Sequence, residues 1–226
     1  MIFSPIKPLH PPHPAPLPHL FLMTRPPILN LQESYTFSRY AELTFDPEDI
    51  LTELGFRLEK SALALPQFSG NLDCRALKER LEQDVLCVDL TSEIARREVL
   101  IAPTLLEVCR LSGSKLKIEY PMMVNNFLKG TLDYLVISQT NLLVVEAKNA
   151  DMPRGMTQLA VELIAMDSWT NLEVPYLYGA VTTGDIWKFA LLQREQKSIH
   201  VDINLYRVPA DLESLLRMLL GIIQGV

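Results

Sequence analysis

The feature that most limits what this chain can fold into is a pair of apolar runs, TLDYLVI and NLLVVEA, meeting through SQTN between positions 131 and 147. Both runs are rich in Val, Ile, Leu and Tyr, which suit a pleated, half-buried surface, and the polar break suits a short turn. They predict two antiparallel strands. Side chains alternate across a strand, so Glu146 and Lys148 leave one face and Ala147 the other. With the hairpin in register, Asp133 on the neighbouring strand reaches that face too. Two carboxylates and an ammonium then converge beside a mostly apolar sheet. Such oxygens suit Mg²⁺, which keeps several waters and is typically held by one or two carboxylates plus phosphate oxygens of a substrate. The ion acidifies a bound water and offsets charge on an attacked phosphorus, and a nearby lysine can orient that water or neutralise the transition state. The plainer alternative has Asp133 and Glu146 ending strands in solvent, with Lys148 paired to one of them.

The flanking sequence adds to this pattern. Gly130 stands just before the Asp133 strand, and Gln158 lies on the helix expected after Glu146-Ala147-Lys148. Upstream, SEIARREVLIAPTLLEV reads as a leading helix; downstream, YGAVTTGDIWKFALL reads as strand, turn and strand. Over roughly residues 90 to 208 the chain resembles the PD-(D/E)xK phosphodiesterase family, and the downstream part is similar to type I restriction subunits. The resemblance implies an α/β fold with a restriction-endonuclease-like core, a mixed central sheet flanked by helices. It implies that Asp133 and Glu146 bind Mg²⁺ (or Mn²⁺), that Lys148 is catalytic and that Gln158 supports the site. It also implies a further acidic ligand from the leading helix, Glu93 or Glu98; Glu93 is preferred because it is near the helix start. Leu132 stands where the family's name has Pro.

Three cysteines, Cys74, Cys87 and Cys109, are odd in number and lack metal-knuckle spacing, so they read as reduced thiols of a cytoplasmic protein. No run approaches the roughly 20 apolar residues needed to cross a bilayer, and no signal peptide is recognisable, so no membrane association is expected. The net charge of −6 is awkward for a partner rich in phosphate, because Lys and Arg supply most non-specific affinity for nucleic acid. Residues 91–160, however, hold eight basic against seven acidic side chains, so the acidity lies outside the candidate site.

The remaining segments divide the chain into three. Residues 1–31 form a proline-rich tail, expected to be disordered: residues 1–30 hold nine of the sixteen prolines, and Met23 is an alternative start. Residues 32–88 read as an N-terminal helical appendage. There DPEDILTELGF has Asp46 as N-cap, Pro47 at N1 and Gly55 as stop, with Phe45, Ile50, Leu51 and Leu54 facing inward. LDCRALKERLEQDV is its second amphipathic helix. Residues 89–226 are the nuclease-like core. In it Pro103 predicts a kink in a helix whose stripe is Leu100, Ile101, Leu105 and Leu106, and Pro121 predicts an edge or bulge in KLKIEYPMMV. Residues 149–155 read as a loop, where Arg154 could share a phosphate with Lys148. HVDINLYRV reads as one strand. The apolar helix from Ala210 to Gln224 either closes the core or supplies a homodimer surface.

The function expected is therefore metal-dependent hydrolysis of phosphodiester bonds in nucleic acid, DNA foremost. The alternative is a nuclease-fold protein that binds nucleic acid or assembles with partners and cleaves little or not at all.

Overall fold

The computed structural model describes residues 26–30 and 32–225. The proline-rich tail, apart from 26–30, and the alternative start at Met23 lie outside the described residues. The first half of the chain forms α1 (Phe37–Glu42), α2 (Pro47–Glu53), β1 (Arg57–Ser61), α3 (Arg75–Cys87) and α4 (Glu93–Arg96). A π-turn (Arg97–Ile101) leads into α5 (Ala102–Ser112), followed by β2 (Lys115–Met123), β3 (Lys129–Ile137) and β4 (Leu142–Ala147). The second half forms α6 (Met152–Trp169), β5 (Tyr176–Thr182), β6 (Ile186–Gln193), β7 (Ser198–Asp202), β8 (Tyr206–Arg207) and α7 (Leu212–Gln224).

One mixed sheet in the order β1-β7-β6-β5-β4-β3-β2 organises these elements, with β8 on β6. The predicted hairpin is its middle: β3 and β4 pair antiparallel with Tyr134 opposite Val145 and Ile137 opposite Leu142. All six residues of β4 are buried, because β4 has a strand on either side and helices on both faces. β4 pairs in parallel with β5, and a parallel neighbour needs a crossover, which α6 supplies. The sheet therefore separates two apolar cores. One packs Phe37, Tyr40, Ile50 and Leu51 with Leu159 and Leu163 of α6; the other packs Leu77, Leu81, Leu105 and Trp187 with α7. This is a mixed α/β architecture with helices on both faces of the sheet.

Segment 32–88 is not helical throughout. Its residues Arg57–Ser61 form β1, which pairs in parallel with β7 at the sheet's edge, and α1 and α2 pack into the same core as α6. RLEKS carries no apolar alternation, and this one-sided edge strand needs none. Within α2, Asp46 caps by accepting from Glu48 N, and Ile50 and Leu51 are buried as expected, but Phe45 is exposed. Leu106 is exposed as well; Thr104 and Val108, one and two turns on from Leu100, take the buried positions instead. The break expected at Pro103 is the π-turn just before it, where the wider turn accommodates a ring with no N–H to donate.

β2 is the other edge of the sheet and carries the irregularity expected near Pro121. Its ladder passes from Ile118↔Tyr134 to Tyr120↔Leu132 without pairing Glu119, whose φ is +52°. HVDINLYRV is two strands rather than one. Asp202 Oδ1 accepts from both the backbone and the side chain of Asn204, turning the chain between β7 and β8. The apolar stripe of α7, including Leu215, Leu216, Leu219 and Ile223, is buried within the chain, so it closes the core. Among the described residues no helix is long and apolar enough to cross a membrane.

Candidate functional site

The end of β4 brings the candidate residues together. Glu146 is 1 % exposed, and its Oε1 lies 2.6 Å from Lys148 Nζ. Lys148, just beyond the strand, is fixed through its backbone N–H, which donates to Thr182 O on β5 at 2.9 Å. Asp133 on β3 is half-buried and accepts from the Ala147 backbone N–H through Oδ2 at 2.8 Å. The three residues of the sequence pattern therefore share one end of the β3–β4 pair, as the register expectation required.

α6 supplies the floor of the site. It begins at Met152, capped by Asp151, which accepts from Arg154 N, so positions 152–155 belong to the helix rather than to a loop. Arg154, expected to share a phosphate with Lys148, is exposed and paired with Asp151. Gln158 is buried and accepts from Lys148 Nζ through Oε1 at 3.1 Å. Its Nε2 donates to Glu162 Oε1 at 2.9 Å, and Glu162 is fully buried. The result is a continuous polar line from Glu146 through Lys148 and Gln158 to Glu162. Gln158 was expected near the site, but a glutamate lying behind it was not.

α4 and the π-turn close the site from the other layer. Ser92 caps α4 by accepting from Ala95 N. Arg96 Nη1 ties the helix to the β5–β6 turn by donating to Thr183 O and Asp185 Oδ1, both at 2.8 Å. Glu93 is half-buried and close enough to Asp133, Lys148 and the Asn149 backbone for each to act on its ionisation. Glu98 is exposed and Glu107 is bonded to Arg110, so of the upstream glutamates Glu93 is the one beside Asp133. Arg97 also faces Asp133, with Nη1 3.6 Å from Oδ1.

Electrostatically, the site holds more negative charge than its surroundings favour. Burial and then the nearby Asp133 raise the Glu146 carboxyl well above the ordinary carboxylate range, to about 8, against the opposing pull of Lys148. Burial, with Glu146 nearby, raises Glu162 as well. Glu93 is raised by burial and by Asp133. For Lys148, burial disfavours the ammonium, but Glu146, Asp133 and Glu93 outweigh it and hold the pKa above its usual value.

The donor set suits a hard divalent cation. Glu146 Oε2 and Glu162 Oε2 are both buried with no donor, and the two carboxyls stand within hydrogen-bond reach of each other, an arrangement that is costly unless a shared proton or a bound cation satisfies them. A bound cation would give Glu146 Oε2 a partner and would relieve the repulsion with Asp133. Among the described residues no three His, Cys, Asp or Glu side chains are gathered as a metal cage, so Glu93 does not complete a closed set with Asp133 and Glu146. Mg²⁺, which keeps part of its water shell, does not need such a cage.

Comparisons of the chain with protein-family models, with curated proteins and with solved structures found no match.

Proposed function

We propose that this protein is a metal-dependent nuclease of the PD-(D/E)xK type, with a restriction-endonuclease-like core, that hydrolyses phosphodiester bonds in nucleic acid, DNA foremost. The observation that carries this reading is the cluster at the end of β4. There Asp133, Glu146 and Lys148 meet, and the buried Glu146 Oε2 receives no hydrogen bond from a donor.

In this reading Asp133 and Glu146 hold Mg²⁺ or Mn²⁺, with Glu93 beside them. When bound, the ion supplies acidification of a coordinated water and neutralisation of charge on the attacked phosphate. Lys148 carries a positive charge held at the site by Glu146 and Gln158. Its ammonium orients the attacking water and stabilises the negative charge that builds on phosphorus. Gln158 keeps that ammonium in place, and Glu162 keeps Gln158 in place. In-line attack of water on phosphorus breaks the bond to the 3′ oxygen, leaving 5′-phosphate and 3′-hydroxyl ends.

A second reading, nucleic-acid binding or assembly with little cleavage, has its own support. Both cations at the site are already engaged with carboxylates, Lys148 with Glu146 and Arg97 with Glu119 and Asp133. Incubating plasmid and single-stranded DNA with the purified protein and Mg²⁺ or Mn²⁺ separates the two. The nuclease reading expects nicking or degradation that needs metal and disappears in Asp133→Ala and Lys148→Ala. Cleavage no greater than in those variants, on both substrates, would favour the binding reading.

A further inference from the structure

Arg97 has a geometry that neutralisation of Asp133 does not explain. Its guanidinium sits 5.1 Å over the Tyr134 ring, and Nε donates to the Tyr134 hydroxyl at 3.3 Å. Nη2 donates to Glu119 Oε1 at 2.5 Å. Nη1, by contrast, stands 3.6 Å from Asp133 Oδ1, beyond hydrogen-bond length, and among the described residues it donates no hydrogen bond. A planar guanidinium thus has two of its three nitrogens satisfied, and the third left open toward the site.

Two backbone irregularities hold it there. Arg97 opens the π-turn, a rare conformation that recurs at functional sites. Glu119 lies on β2 where the ladder would place the partner of Asp133, in the left-handed region that non-glycine residues seldom occupy. That excursion lifts Glu119 out of the ladder while its side chain reaches Arg97. The arrangement suits a strong anion that approaches Asp133 from solvent, because a guanidinium fork matches a phosphate's oxygens.

We propose that Arg97 is the phosphate-binding arginine of this site, its Nη1 donors taking a non-bridging oxygen of the substrate phosphodiester while Glu119 and Tyr134 hold the guanidinium in aim. The role rests on the nuclease reading for the identity of the substrate. A cation held by Asp133 would take up that carboxylate's charge and leave Nη1 free for the phosphate.

Binding can be read without turnover in a Lys148→Ala background, with Mg²⁺ present, from the fluorescence anisotropy of labelled duplex and single-stranded oligonucleotides over a salt series. Loss of one phosphate contact lowers the slope of log K against log salt by about 0.9 on duplex, equivalent to about eightfold weaker binding at 0.1 M. Arg97→Ala is expected to show that change. Arg97→Lys should restore the slope but only part of the affinity, because an ammonium lacks the fork. Glu119→Gln keeps an oxygen to aim the guanidinium but removes a negative charge beside the phosphate, and is expected to bind more tightly, whereas a purely structural role for the pair predicts no gain. If the background variant binds and Arg97→Ala keeps its slope and affinity, whatever its melting temperature, the role of Arg97 is overturned and the nuclease reading stands. If the background variant binds neither oligonucleotide and wild type cleaves neither, both are overturned.

Discussion

Glu162 occupies a position where a helix packed on a sheet would ordinarily carry Leu or Ile. It is fully buried, accepts one hydrogen bond from Gln158, and has its carboxyl beside that of Glu146 with no donor to Oε2. A buried carboxylate without a cation at its side is costly, and a neutral amide of the same shape is less so. Glu162→Gln is expected to stabilise the fold by about 1 kcal/mol, equivalent to a rise in Tm of about 2–4 °C for a chain of this size. It keeps an oxygen for Gln158 and should keep most of the cleavage. Glu162→Leu removes that oxygen, and loss of such an outer support typically lowers activity by about tenfold or more. Thermal melts and cleavage rates of the two variants check the pair; equal rates would show that Glu162 does not act through Gln158. The sequence made Asp133, Glu146 and Lys148 legible because strand period alone decides their face. Gln158 was expected to support the site from α6, and Glu162 follows it one turn on. Their burial was hidden because α6 is covered on most of its circumference, so polarity does not mark an outward side. Arg97 and Glu119 had no local signal, since their pairing joins a helix to an edge strand.

The first turns of α6 hold Lys148 by close approach. A Cβ on Gly155 would lie 2.7 Å from Lys148 Cγ and 2.9 Å from Val181 Cγ1. Helix propensity favours Ala over Gly by about 1 kcal/mol, so local reasoning predicts a more stable Gly155→Ala protein. Packing predicts the reverse, because forcing atoms into a filled site costs about 1–3 kcal/mol. The expected outcome is a Tm no higher than wild type together with slower metal-dependent cleavage, as the lysine stem is displaced. A higher Tm with full activity would mean the helix can shift without disturbing Lys148. The helices and central strands were legible from their periods and caps, as Asp46, Ser92 and Gly55 show. The π-turn was anticipated only as a break at Pro103. β1 was missed because a strand paired on one side and exposed on much of its surface has no apolar alternation to display.

Across the whole molecule, segment 32–88 and the remainder share one sheet and both cores. Phe37, Tyr40, Ile50 and Leu51 are packed in the cluster that contains α6, and Leu77 and Leu81 in the one that contains α7. Each such buried side chain contributes about 1.5–3 kcal/mol, and domains are stable by only about 5–15 kcal/mol in total. A chain beginning at Asp89 is therefore expected to aggregate or to lack a cooperative melt, which size-exclusion chromatography and circular dichroism will show. A soluble monomer that melts cooperatively would establish 89–226 as an independent folding unit.

The pairing of β1 with β7 also sets the order in which the protein can be completed as it is made. Arg57 leaves the ribosome well before its partner Ser198. Until β7 arrives, β1 has no neighbour, and its unpaired N–H and C=O groups remain open to any other strand. The nascent chain thus carries an unsealed edge from β1 until β7 is made, and it is in that interval that misassembly between copies is most favoured.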